Sequence, residues 1–228
     1  NTVHKSYYNK AKIQQKIIEK YKNNFVFLYV GDTGIRRGLQ TAIEAISVLK
    51  DKIPTVKLVI VGSNSSDIFL KQQVEDLNIQ KYVDFEGWQN ENLFPSYIMA
   101  SSICIWPLHR NLHHDTTYAN KIFQYMSFGK PLLVSDAIAQ KKIVEKNNTG
   151  LVHKEKDVED FLENDSAVMS SSLKEWLATL NRKHMTEDPF ANDAFNKKAE
   201  EYNFTKIIEA AKKNGLKVVC AEKSLEDY

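Results

Sequence analysis

Cysteine is scarce: the 228 residues include only Cys104 and Cys220, too few and too widely spaced for a disulfide framework or a zinc cluster. Cys104 sits in the apolar run Ser102-Ile103-Cys104-Ile105-Trp106 and reads as a small buried hydrophobe. Such cysteine usage fits a reducing, cytoplasmic setting. Long hydrophobic runs are lacking too, and no stretch approaches the ~18 apolar residues of a membrane span. No signal peptide is recognisable, and the chain begins at Asn1 without methionine, as though cut from something longer. An excess of one charge is also missing. The 31 basic and 29 acidic residues leave a net charge of +2, and the basic ones are dispersed, which argues against a nucleic-acid partner. Lys141, Lys142 and Lys146, interrupted by Glu145, read as a solvated helix face. There is no Gly-x-Ser-x-Gly elbow, so a serine hydrolase loses its main signature.

What is present is an alternation of two periods. Phe25–Val30, Val56–Val61, Tyr82–Phe85, Ser102–Trp106, Pro131–Val134 and Gly150–Val152 have strand length and composition. The first of them shows no polar alternation, as expected of a strand buried on both faces. Between them, Leu39, Ala42, Ile43, Ile46 and Leu49 recur at helical spacing. Ser65 or Ser66 suits the cap of a helix carrying Phe69, Val74 and Leu77. Further helices are expected from Leu93 to Met99, from about Thr117 to Phe128, and after Asp136. Strand–helix alternation of this kind predicts an α/β fold, a doubly wound parallel sheet with helices on both faces.

The ends read differently. Ile13, Ile17, Ile18 and Tyr21 mark an amphipathic leading helix, which sets residues 1–24 apart as a leading segment. Residues 25–165 form the sheet domain. Residues 166–228 form a C-terminal helical extension, with stripes at Leu173, Trp176, Leu177 and Leu180, at Phe195, Ala199 and Tyr202, and at Ile207, Ile208 and Ala211.

In an open parallel sheet, ligands collect at the carboxyl ends of the strands. Gly31-Asp-Thr-Gly-Ile-Arg-Arg-Gly38 follows the first strand there, and its glycines, amides and arginines suit a phosphate. An ordinary turn with surface arginines fits the same residues equally well. Val61-Gly-Ser-Asn-Ser-Ser66 follows the second strand and is uninformative alone. The third loop runs from Leu108 to Pro131. Tyr118, Ile122, Tyr125 and Met126 form the expected buried stripe of its helix, leaving Thr117, Asn120, Lys121 and Gln124 on the other face. His109, His113, His114 and Asp115 match no familiar metal spacing, so no metal site is expected. One of these histidines better suits hydrogen-bond donation to a phosphate or sugar.

Taken in order, these segments resemble the donor-binding C-terminal domain of GT-B glycosyltransferases, family 4 in particular, over roughly residues 1–165. Asn1-Thr-Val3 is similar to the interdomain linker of such enzymes, and Tyr29-Val-Gly31 through Arg37-Gly38 to their glycine turn. Leu58–Gly62, Val83–Gly87, Asn120–Pro131 with Val134–Asp136, and Thr149–Val152 resemble the segments that follow. The resemblance implies transfer of a sugar, with retention of configuration, from a nucleoside diphosphate donor to a glycan or lipid-linked acceptor. The acceptor would be held by the missing N-terminal domain, with peripheral membrane contact open to the full enzyme. No cofactor is implied. Donor diphosphate contacts are expected from Gly31, Thr33, Arg36, Arg37, Tyr118, Ala119, Asn120 and Lys121. Ribose or sugar contacts fall to Thr116, Gln124 and His114, and base contacts to Glu86, Gly87 and Trp88. No residue is assigned as catalytic.

Two departures from the family pattern stand out. Its paired glutamates fall on Thr116 and Gln124, and its arginine after the first glycine falls on Asp32. A carboxylate ~4 Å from a phosphate costs about 4 kcal/mol at an effective dielectric near 20. Asp32 is therefore expected to turn away and pair with Arg36. Two other readings stay open: a sugar-nucleotide epimerase of the same architecture, and a binding module that has lost its chemistry.

Overall fold

The computed structural model describes residues 13–162. The linker tripeptide, Cys220 and the expected C-terminal helices lie outside that range. Six strands form one parallel sheet: β1 (Phe25–Val30), β2 (Val56–Val61), β3 (Val83–Gly87), β4 (Ile103–Trp106), β5 (Leu132–Ser135) and β6 (Gly150–His153). Their spatial order is β3-β2-β1-β4-β5-β6. The chain steps outward from β1 to β3, returns to β4 and steps outward again, so the order reverses between β1 and β4. Sequence segments far apart are thereby set side by side, with Phe27 opposite Ile103 and Leu28 opposite Cys104.

The helices are α1 (Gln15–Tyr21), α2 (Leu39–Lys52), α3 (Asp67–Asp76), α4 (Phe94–Ala100), α5 (Leu112–Thr116), α6 (Asn120–Ser127) and α7 (Ile138–Asn147). The stripe read for α2 is buried throughout: Leu39, Ala42, Ile43, Ile46 and Leu49 all lie in the core. The central strands β1, β2 and β4 are apolar on both faces and almost wholly buried, as a parallel sheet covered on two sides requires. α1 joins this body through α4, where the Gln14 amide donates to Ser96 Oγ at 2.9 Å.

Three expectations are corrected. α3 buries Leu70 and Val74, while Phe69 is 67% exposed; one residue of rotation about the helix puts Leu70 on the inner face instead. Ser66 makes no side-chain cap on α3, since its hydroxyl is engaged with Asn64 Oδ1 and the Thr33 carbonyl. The helix expected from about Thr117 to Phe128 is present as α6 but starts three residues later, and a separate short helix, α5, precedes it. α5 ends at Thr116, and Thr117 to Ala119 are extended or outside helix before α6 begins at Asn120. Tyr118 is consequently 41% exposed and leaves the buried stripe, which is carried by Ile122 and Tyr125.

Candidate functional site

Two glycines fix the rim at the carboxyl ends of β1 and β2. A Cβ on Gly62 would stand 1.8 Å from the Gly31 carbonyl oxygen, so the loops after β1 and β2 touch backbone to backbone. Gly38 has φ 71°, and a Cβ there would stand 1.8 Å from the Pro107 carbonyl oxygen. That contact presses the glycine turn against the loop after β4. The His109 amide reinforces it by donating to the Arg36 carbonyl at 3.0 Å. From the other side, the last residue of β1, Val30, donates its amide to Tyr125 Oη on α6 at 2.9 Å. The glycine turn and the polar helix therefore meet at one rim, at the reversal of strand order where ligands bind in such sheets.

The turn itself is a charge network. Arg37 Nε donates to Asp32 Oδ2 at 3.2 Å, and Arg36 stands 3.9 Å from the same oxygen. Asn64, reaching over from the β2 loop, donates to Asp32 Oδ1 at 2.6 Å. Burial by itself would raise the Asp32 carboxyl, but the hydrogen bonds from Asn64 and Arg37 outweigh it and hold the group below its ordinary range. The expected pairing of Asp32 with Arg36 is present, and Arg37 adds a closer one. The cause is the turn of helix spanning Ile35–Arg37, which brings Arg37 back beneath the loop while Arg36 faces solvent. Tyr29 stacks on Trp106 with ring centroids 5.2 Å apart, and the Arg37 guanidinium lies 5.8 Å from the Trp106 ring.

The other expected phosphate contacts divide. The Gly31 amide is already bonded to the Val61 carbonyl, and the Thr33 hydroxyl is buried and donates to Asp67. Neither group is available to a ligand. Both serve instead to lash the β1 loop to the β2 side. Tyr118 and Ala119 precede α6, and Asn120, its first residue, is exposed. α6 carries no side-chain N-cap, so its first-turn amides are not claimed by a cap. The Lys121 ammonium lies 4.1 Å from the centre of the Phe94 ring, and desolvation pulls its pKa down to about 8. It is seated on α4 rather than reaching across the α6 N-terminus.

The ribose or sugar candidates also divide. Thr116 bonds its own helix, Oγ1 to the Leu112 carbonyl at 2.6 Å. Gln124 keeps a buried Oε1 with no partner. His114 is buried, and its Nδ1 lies 2.6 Å from the His109 carbonyl oxygen. A carbonyl only accepts, so this shorter contact puts the proton on Nδ1, against the Asn111 Nδ2 that stands 3.0 Å from the same atom, and leaves the buried Nε2 an acceptor with no partner. Burial lowers the His114 pKa, partly offset by that hydrogen bond, with the nearby Arg37, His113 and Arg36 charges lowering it further. In that tautomer His114 offers an acceptor rather than the donor expected of one of the histidines, and suits a hydroxyl better than a phosphate. Asp115 does not join it, being held by Arg110 at 3.2 Å and accepting from the Ile138 amide, while the His113 ring lies 5.6 Å from that of His114. Among the described residues, no three His, Cys, Asp or Glu side chains gather as a metal site.

Of the base candidates, Glu86 points elsewhere. Its carboxylate accepts from Tyr21 Oη and Tyr97 Oη, each at 2.7 Å, and from Lys20. Only its carbonyl, bonded by Gln89 Nε2, faces the loop. The Gly87 carbonyl accepts from the Gly62 amide, and Trp88 is 75% exposed. One residue is read from the sequence only as part of a strand and not as a site candidate. Trp106 ends β4 at the strand reversal and has a buried Nε1 without a partner. An aromatic closing a buried strand beside a glycine turn was the available signal.

The profile of the family described as glycosyl transferases group 1 matches residues 10–181. An Escherichia coli UDP-Gal:alpha-D-GlcNAc-diphosphoundecaprenol alpha-1,3-galactosyltransferase is 27% identical over 157 residues, covering 68% of this chain and 39% of that enzyme. Among solved structures, Anabaena Alr3699/HepE in complex with UDP superposes with TM-score 0.65 at 15% identity, covering 94% of this chain and 56% of the other. The C-terminal domain of a group 1 glycosyl transferase (LpcC) from Francisella tularensis gives 0.56 at 19% identity, covering 75% of this chain and 90% of that domain. The chain thus spans well under two thirds of the E. coli and Anabaena proteins it matches.

Proposed function

The chain belongs to the glycosyl transferases group 1 family, and from that premise we propose that it is the donor-binding half of a retaining glycosyltransferase. The carrying observation is the meeting of the glycine turn, with Arg36 and Arg37, and α6, with its uncapped start, at one rim, together with buried polar atoms lacking partners: Trp106 Nε1 and His114 Nε2 near Arg37, and Gln124 Oε1 on α6. A buried polar atom without a partner costs roughly 1–3 kcal/mol. These three are accounted for by a polar ligand that completes them. The UDP complex of the Anabaena protein, similar in fold, supports a nucleoside diphosphate as part of that ligand.

In this reading the diphosphate lies between Arg37 and the start of α6. Negative charge grows on it as the sugar bond breaks, and the fixed guanidinium with the helix amides opposes that charge without reorganising. The His114 Nε2 acceptor suits a hydroxyl of the sugar, and Gln124 the ribose. The backbone at Glu86 to Trp88 remains the candidate for the base. The good coverage of an isolated C-terminal domain supports assignment to the corresponding half of the enzyme. The acceptor, a glycan or a lipid-linked sugar, belongs to the other half, so this chain alone binds nucleotide and transfers nothing.

Titration of UDP, GDP and ADP by calorimetry tests the reading. At least one binds, and at one hundred times its dissociation constant it stabilises the fold by about 2.7 kcal/mol. Arg37→Ala weakens it more than roughly tenfold, the loss of a charge-assisted contact. An unaltered affinity removes Arg37 from the site, and turnover by the isolated chain overturns the half-enzyme assignment.

A further inference from the structure

We propose that Asp32 is a positioning residue, whose carboxylate grips Arg37 at Nε and presents the terminal nitrogens of the guanidinium to the diphosphate. The inference rests on the donor-binding reading above and concerns how that site is built. A carboxylate in a phosphate-binding turn looks self-defeating, since it is a competing anion. Its geometry argues otherwise.

Asp32 is held from three directions. Its Oδ1 accepts from Asn64 Nδ2 at 2.6 Å and from the Gly34 amide at 3.4 Å, and its carbonyl accepts from Tyr29 Oη at 2.6 Å. A group tied to the β1 strand and to the β2 loop is a fixed post rather than a mobile competitor. It meets Arg37 at Nε, 3.2 Å away, and among the described residues no acceptor bonds the terminal nitrogens. Trp106 lies against the guanidinium at 5.8 Å, and Tyr29 backs that ring. Two constraints therefore act on a side chain that is only 19% exposed, whereas Arg36, 3.9 Å from the carboxylate, is 59% exposed. An arginine has five N–H donors in a planar fork. Holding it at Nε leaves the opposite edge directed outward, with its rotamer freedom already removed before the ligand arrives. The cation then stands between the two anions, and repulsion between carboxylate and phosphate acts across the guanidinium's width rather than in contact.

A double-mutant cycle read by UDP calorimetry on the 228-residue chain tests this. Asp32→Ala weakens UDP roughly tenfold, the scale of one lost organising hydrogen bond. Asp32→Asn, which keeps an acceptor within reach of Nε, recovers most of that loss. Combining Asp32→Ala with Arg37→Ala is no worse than Arg37→Ala alone, because Asp32 acts only through Arg37. A merely structural role would lower the melting temperature in Asp32→Ala yet show additive, uncoupled affinity losses, and additivity overturns the proposal. So does tighter binding in Asp32→Ala or Asp32→Asn, which would make the carboxylate a competitor. If the wild-type chain binds no UDP, or if Arg37→Ala binds it equally well, the donor-site reading has failed and this inference goes with it.

Discussion

The carboxylates of Asp32 and Glu86 sit at different places on the same sheet, and both lie below their ordinary pKa range despite burial. Around Glu86 the chain completes its own network: two tyrosine hydroxyls and a lysine converge from α1 and α4, and α1 is locked to the sheet edge. Around Asp32 the network is completed on one side only. Arg37 keeps unused donors, and Trp106, His114 and Gln124 keep buried atoms with no partner. The closed cluster has its polar groups paired within the chain, and the open one has several that no protein group satisfies. Similar chemistry thus serves stability in one region and, in the proposed donor site, recognition in the other.

The sharpest way to break this contrast is to separate the open rim into its pieces. Gly38→Ala meets the Pro107 carbonyl oxygen at 1.8 Å with a positive φ, and costs more than about 3 kcal/mol in urea unfolding. A smaller loss would mean that the glycine turn and the β4 loop are not pinned together. Next in size is Glu86→Ala, which strands the Tyr97 hydroxyl, leaves Tyr21 Oη only its 3.2 Å bond to Asp84, and lowers stability by about 2 kcal/mol. Nucleotide affinity falls far less than in Arg37→Ala, because only the backbone at residue 86 is assigned to the base, and an equal loss of binding would dissolve the division between the regions. The same contribution depends on pH. Because the folded value of Glu86 lies under its ordinary 4.5, the stability is complete above that pH and is lost as pH falls through the folded value. Acid unfolding curves of the variant lack that component. Smallest is Gln124→Glu, which restores the acidic residue of the family pattern. It tightens nucleotide binding roughly fivefold through a charged ribose acceptor and destabilises the empty fold by about 1 kcal/mol. Calorimetry paired with thermal melting reads both signs.

Much of this was legible beforehand, because period and burial are local properties. The stripe from Leu39 to Leu49 gives α2 its buried face, and Phe25–Val30 is buried on both sides of the sheet as its composition requires. The misreadings arose where two neighbouring side chains compete for one position. Phe69 and Leu70 are both apolar, and the helix turns only Leu70 inward. Tyr118 has the right spacing for the α6 stripe, but the backbone at Thr117 and Ala119 is extended. Thr33 stands in the right loop, but its hydroxyl is taken by Asp67, 34 positions on.

The sequence by itself determined the elements, their alternation and therefore the parallel sheet with its candidate loops at the carboxyl rim. Hydrophobic periodicity is written residue by residue and needs no knowledge of distant partners. Only the tertiary structure decided which polar groups are spent and which remain. Asp32 meets Asn64, Glu86 meets Tyr21 and Val30 meets Tyr125 because the strand order β3-β2-β1-β4-β5-β6 lays remote segments side by side. A hydrogen bond is settled within a few tenths of an ångström, and separation along the chain carries no such distance.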